Sequence, residues 1–298
     1  MIRNSVPWPD GARCAVAITF DMDADSILHL DHRDSHRRVS ATSMLRYGPE
    51  IGVPRILDTY RKFDIKQTFF IPAWCIEQYP DTVDSILEDG HEIAHHGYLH
   101  ENPVGQSREE QAYWLQRGID VIKKHTGERP RGWRAPLYNF SDASAELLIE
   151  EGFAYDASLM GDDVPYVIRS DNGELIELPS HWGLDDWPPY VHSIDLDYVM
   201  PVRGPEEVVR GFRSEFDAAW EHGGLWISVW HPFVSGRLAR WVEVEKLIEH
   251  MRNKGEVWFA RMDDIAQHVA ECIAGGSYQP RVDTLPFYDG PIDIKKPD

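Results

Sequence analysis

The sequence predicts an α/β protein, a single domain whose parallel strands alternate with helices and curl into a barrel. Three observations carry this expectation. Short apolar runs alternate with amphipathic ones through most of the 298 residues, the pattern of right-handed βαβ units on a parallel sheet. Seven or so such units favour a closed barrel over an open sheet. No internal repeat, low-complexity tract or linker divides the chain, so 1–298 reads as one domain.

The elements follow in order. CAVAITF (14–20) is a continuous apolar run, as in a strand covered on both faces. VPRILDTYRKF (53–63) has helical spacing, KQTFFIPA (66–73) reads as a strand, and PDTVDSILEDG (80–90) is a helix closed by Gly90. HEIAHHG (91–97) is a short strand entering a turn. Residues 107–127 form the clearest helix: Ser107 and Glu110 make a capping box, basic residues fill the last turn, and Gly127 follows. RGWRAP (131–136) is a strand stopped by Pro136, 141–152 a helix capped by Ser141, and FAYDASL (153–159) a strand. Residues 160–204, rich in Trp, Asp and Pro, are expected to be irregular. A helix at 205–224, a strand at 225–232, a helix near 238–254, a strand at 256–261 and a helix at 262–273 complete the pattern. Residues 24–50 are expected as a polar loop insertion near the site. Within it, HLDHRDSHRR (29–38) is either a solvated loop or a lid, or an arm reaching a neighbouring subunit.

Composition narrows the function. Hydrophobic residues make up 42% of the chain, with 11 Trp, 12 Tyr and 11 Phe, enough for a sizeable core. A net charge of −20 argues against nucleic acid and against docking on an anionic membrane. Cys14, Cys75 and Cys272 are odd in number and far apart, so no disulfide framework is indicated. The N-terminus has no apolar signal core and no run is long enough to span a membrane. A cytoplasmic enzyme or binding protein is the expectation.

Chemistry in a parallel barrel sits at the carboxyl ends of the strands. Asp21 and Asp23 end the first strand, His96 and His100 follow the third, Arg134 and Tyr138 the fourth, and His231 ends LWISVWHP. His96, His100 and one carboxylate are a three-ligand set for catalytic zinc, and the same set suits non-haem iron. The other aspartate would be free to act as a base. Asp21 and Asp23 are expected to diverge, one facing the barrel and the other a neighbouring loop.

TFDMD, HHGYLH, RAPLY and WHP resemble, in order, the motifs of the polysaccharide deacetylase family, the NodB-homology carbohydrate esterases. Met22 between the acids, in place of the family's usual TFDDG, resembles its D-x-D branch. That branch includes peptidoglycan deacetylase-like proteins and cyclic imide hydrolases. ELPSHWGLDDWP (177–188) and PFYDG (286–290) add to the match. The resemblance implies a distorted (β/α)7–8 barrel and hydrolysis of a non-peptide amide by metal-activated water. It implies Asp23, His96 and His100 as metal ligands, Asp21 as base, Arg134 as the group orienting it, and His231 as acid. A backbone N–H near Tyr138 would help hold the oxyanion, and Asp162, Asp163, Asp185 or Asp186 would orient His231. It also implies one divalent metal, zinc ahead of cobalt, manganese, nickel or iron, and a homo-oligomer such as a tetramer. The substrate would be an acetylated amino sugar, or alternatively a small cyclic imide or ureide.

Plainer readings stand beside these. Paired histidines often serve only as hydrogen-bonding core or surface groups, and a strand-end aspartate often caps the next helix. His95 is expected to pack, and His91 to open its strand toward solvent. Trp182, Trp187 and Trp230 are pocket candidates, although such residues are more often core. A non-catalytic binding protein on the same scaffold, or an iron oxygenase, would share parts of the pattern. The intact acid and histidine set argues against the first, and the βα alternation against the second, whose sites usually sit on antiparallel sheets.

Overall fold

Strand β1 (Cys14–Asp21) runs through the centre of the computed structural model, which describes residues 1–291, and all eight of its residues are buried. On one edge it pairs in parallel with β10 (Leu225–Trp230) from Ala15 to Phe20. Its other edge is shared by β11 (Val257–Phe259) at the start and β2 (Thr68–Ile71) at the end. From β2 the sheet continues in parallel through β3 (Glu92–His95), β4 (Gly132–Trp133) and β5 (Tyr155–Asp156). Then come β7 (Gly173–Glu177), β6 (Tyr166–Ser170) and β12 (Val282–Thr284).

Helices follow the strands as the spacing predicts, including Arg108–Thr126 with its Ser107/Glu110 capping box intact. The sheet curls until the chain after β7 lies along the free edge of β10. There Asp185 makes an isolated parallel bridge with Val229, and Ser180 Oγ donates to the Ile227 carbonyl. The barrel is therefore distorted: an isolated bridge, rather than a full strand ladder, links the chain after β7 to β10, and β6 and β12 lie beyond β7.

Two expectations need correction. Residues 160–204 are not irregular throughout. β6 and β7 form an antiparallel hairpin, and β8 (His192–Ser193) pairs with β9 (Tyr198–Val199). The Asn172-Gly173 step between two β-rich runs was the local signal. Residues 24–50 are not a plain loop either. They contain short helices at Ser26–His29 and Val39–Tyr47, and the Gly48–Gly52 turn leads into the Val53–Phe63 helix. Gly52 sits so close to the His231–Ser235 turn that a Cβ there would fall 2.4 Å from the Pro232 carbonyl oxygen. The Gly48–Gly52 turn thus packs against the segment that follows β10.

The pleat of β1 sorts its side chains. Cys14, Val16, Ile18 and Phe20 join the outer core under the helices, while Ala15 and Ala17 join an inner cluster with Phe70, Tyr155 and Ile227. Thr19 and Asp21 continue that inner face toward the carboxyl end. The interior changes from apolar to polar as the strand ends.

His91 is buried rather than solvent-facing, with 4% exposure. Its Nδ1 accepts from the Gln67 N–H at 3.0 Å, so the ring is neutral. Burial is the main cause that depresses its pKa to about 4. The unfolded chain takes up this proton near pH 6.5, whereas the folded one resists until about pH 4. This contribution to stability is complete above pH 6.5 and lost as pH falls toward 4. Urea unfolding at pH 4.5 and 7 is expected to show a smaller acid loss in His91→Gln than in the parent, by up to about 3 kcal/mol.

Candidate active site

Four strand ends deliver the site. β1 ends at Asp21, and the turn beyond it carries Asp23. The two acids were expected to diverge, yet residues two apart share a strand face, and both line one cavity with His96, His100, Arg134, Tyr138, Trp182 and His231. The cavity holds about 1,200 Å³, slightly above the range of about 300–1,000 Å³ common for small-molecule sites.

The turn after β3 presents the two imidazoles. Glu101 accepts from the Tyr98 and Leu99 N–H groups and fixes this turn, a role the sequence reading missed. Gly97 takes φ 75°, and a Cβ there would lie 2.9 Å from the Glu101 carboxylate. His100 is held at φ 61°, a left-handed conformation that costs a non-glycine residue roughly 1–2 kcal/mol. Such strain collects at functional sites. His96 Nδ1–H donates to the Arg134 carbonyl at 2.8 Å, which leaves the Nε2 lone pair facing the acids. Nε2 lies 3.4 Å from Asp23 Oδ1 and 3.7 Å from Asp21 Oδ2, and His100 Nε2 lies 3.6 Å from Asp23 Oδ2. His95 packs as expected, its Nε2–H donating to the Leu115 carbonyl.

Asp23, His96 and His100 offer one ligand atom each, all within 4.8 Å of one another. Asp23 Oδ1 is buried and has no hydrogen-bond partner among the described residues, an arrangement that is costly unless a cation completes it. Burial is the largest influence on Asp23 and raises its pKa, although His231 and His96 oppose the shift. These residues fit a divalent metal: a carboxylate with an orphaned oxygen, and an imidazole whose other nitrogen is already engaged.

Arg134 is fully buried and donates from Nη1 to Asp21 Oδ1 at 2.6 Å and to Thr19 Oγ1 at 3.0 Å. Burial is again the largest influence on Asp21. The fields of Arg134, His96 and His231 together outweigh it and hold the carboxyl below its ordinary range.

His231 follows β10. Of the four candidate partners, the structure selects Asp186, whose Oδ1 accepts from His231 Nδ1 at 2.7 Å. Asp186 Oδ2 accepts from the backbone N–H groups of His231 and Ser235. Asp185 instead accepts from the Tyr138 hydroxyl at 2.7 Å. Asp162 instead lies 3.6 Å from Arg281. Burial opposes charge on His231, but Asp186, with Asp23 and Asp185, raises its pKa to about 10.

Tyr138 lines the cavity, but its own N–H donates to the Ala135 carbonyl at 3.0 Å, so that amide is already engaged. Trp182 lines the mouth and meets Tyr138 edge-on at 4.6 Å. Trp230 does not line the cavity. It is fully buried among Phe20, Phe212 and Trp226. The pleat explains why: His231 faces inward, so its neighbour faces the outer core. Trp187 takes the expected place, 5.2 Å from the His231 ring. On one side of the mouth, His32 Nε2–H donates to the Asp195 carbonyl at 2.7 Å and Arg38 pairs with the Asp195 carboxylate. The 24–38 segment and the β8–β9 hairpin are thereby clipped together.

Comparison with known proteins matches the chain to one family. The polysaccharide deacetylase family model matches residues 34–155. The peptidoglycan deacetylase of Helicobacter pylori is 30% identical over 248 residues, which cover 74% of this chain and 84% of that protein. The chain belongs to the polysaccharide deacetylase family. A crystallised Mycobacterium smegmatis protein assigned to the polysaccharide deacetylases superposes with a TM-score of 0.88 at 36% identity, covering 100% of this chain and 99% of that one. Puue allantoinase superposes with a TM-score of 0.80 at 25% identity, covering 93% and 96%. Membership makes the protein a hydrolase of carbon–nitrogen bonds of the deacetylase type, and the family's enzymes depend on metal. No described helix is long and apolar enough to cross a membrane.

Proposed function

We propose that this polysaccharide deacetylase family member is a metal-dependent N-deacetylase acting on acetylated amino sugars. One observation carries the reading. Two oppositely tuned proton carriers, Asp21 held by Arg134 and His231 held by Asp186, border the same corner formed by Asp23, His96 and His100.

Asp23, His96 and His100 would hold the cation. When bound, a divalent ion there supplies Lewis acidity, polarising an amide carbonyl and lowering the pKa of water. Asp21 Oδ1 is occupied by Arg134, which leaves Oδ2 to accept a proton from the attacking water. Its depressed pKa keeps it ionised at neutral pH. His231 is held by the Asp186 carboxylate, which favours the protonated ring. Nδ1–H stays on Asp186, so Nε2–H is the proton delivered to the departing nitrogen. The water oxygen bonds to the carbonyl carbon, the carbon–nitrogen bond breaks, and acetate and an amine leave. Proton acceptor and donor are separate groups, so Asp21 need not give up its new proton before the intermediate breaks down; afterwards Asp21 loses that proton and His231 regains one.

The likeness to an allantoinase and the clip beside the mouth favour a second reading on the same residues: ring opening of a small cyclic imide or ureide. Metal-loaded protein incubated with N-acetylglucosamine oligomers and with succinimide-like imides separates the two. Acetate release, abolished by a chelator, supports deacetylation. Imide opening without acetate release replaces it with the second reading, and inertness toward both contradicts each.

A further inference from the structure

The ELPSHW segment contains a buried carboxyl that the proposed chemistry does not use. Glu177 ends β7 directly beside Asp156 of β5, and the two are paired in register. Both are fully buried. Glu177 Oε1 accepts from the Leu159 N–H at 3.0 Å, whereas Oε2 has no hydrogen-bond partner among the described residues. Asp156 has both oxygens engaged: Oδ1 accepts from Ser158 Oγ at 2.6 Å and Oδ2 from the Ser158 N–H at 3.0 Å.

From Ser158 the connections run to the site. Ser158 Oγ accepts from the Ala135 N–H at 2.8 Å, and the adjacent Ala157 carbonyl accepts from Arg134 Nε at 3.1 Å. These contacts hold the backbone and the side chain of the segment that presents Arg134 to Asp21. The Arg134 carbonyl also receives His96 Nδ1–H, so the same segment sets that ring.

We propose that Glu177 is a positioning residue for the deacetylation site: its carboxyl hydrogen-bonds Asp156, and the pair, through Ser158 and Ala157, fixes the segment that carries Arg134. Two buried carboxyls cannot face each other while both are ionised, so one proton lies between them. Glu177 holds it, because Asp156 already takes two donors and Glu177 Oε2 takes none. Burial, reinforced by Asp156, raises the Glu177 pKa well above the carboxylate range, consistent with that placement. The acid group then donates from Oε2 and accepts at Oε1, which a glutamine amide can also do.

The role rests on reading Asp21 and Arg134 as the proton-accepting pair. Steady-state deacetylation and thermal melting of the metal-loaded full chain test it in Glu177→Gln, Glu177→Ala and Ser158→Ala. Glu177→Gln is expected to keep kcat and KM close to the parent. Glu177→Ala and Ser158→Ala are expected to lose about tenfold or more in kcat with KM unchanged, because a small displacement of a catalytic group costs rate rather than binding. Should Glu177→Ala not fold, Ser158→Ala decides. A folded Glu177→Gln as impaired as Glu177→Ala overturns the proposal, since Glu177 would then act as an anion. Full kcat in folded Glu177→Ala, or in Ser158→Ala, overturns it as well, leaving Glu177 a packing residue. If the parent releases no acetate, the deacetylation reading fails first and this role falls with it.

Discussion

Asp21→Asn is expected to lower kcat by about 10²–10⁴-fold, the usual weight of a positioned proton acceptor, while the protein still binds its metal. The amide oxygen of asparagine can accept from Arg134 Nη1 in place of Asp21 Oδ1, but its NH2 group cannot take a proton from water. Metal retention follows because Asp23, His96 and His100 are untouched. Arg134 becomes a buried cation without its carboxylate. Breaking such a pair costs about 3–5 kcal/mol when a partner is removed outright, so a lower melting temperature accompanies the kinetic loss. Steady-state rates, metal analysis and a melting curve on one preparation check all three effects.

Asp23→Ala is expected to abolish both metal binding and turnover. The loss of affinity exceeds the 10–100-fold, in round terms, that removing an outer partner of a metal ligand costs, because a charged ligand itself is gone. The metal-free proteins should rank in the opposite order. Asp23 is buried, its Oδ1 has no partner among the described residues, and burial raises its pKa despite the pull of His231 and His96. Deleting the carboxylate relieves that cost, so metal-free Asp23→Ala should melt no lower than the metal-free parent. Metal added to the parent raises its melting temperature by mass action and leaves the variant unmoved. Loss of metal in Asp21→Asn with retention in Asp23→Ala would reverse the roles within the pair.

Much of this was legible in the sequence because strand ends are legible. Apolar runs that stop at TFDMD, HEIAHH, GWRAP and ISVWH mark where a parallel sheet exposes its carboxyl edge, and the reactive residue types sit there. Asp186 was harder to single out. Four acids lay in the irregular stretch, and only the bridge of Asp185 to Val229 brings its neighbour under His231. Glu101 and Glu177 act through backbone turns and a buried partner, relations that no spacing encodes. Trp230 and the paired fate of Asp21 and Asp23 were readable: strict alternation on β10 and β1 places the first outside and the acids together. The hairpin of β6 and β7 was masked by the Trp, Asp and Pro content of its surroundings, although Asn172-Gly173 announced it.

The proposed chemistry needs one cation held by Asp23, His96 and His100. Crystals grown with zinc and measured on both sides of the zinc absorption edge test that directly. The expected result is one anomalous peak within bonding distance of an Asp23 carboxylate oxygen and Nε2 of His96 and His100, absent in Asp23→Ala. A site without such a peak at saturating zinc, in a protein that still releases acetate after exhaustive chelation, would contradict it.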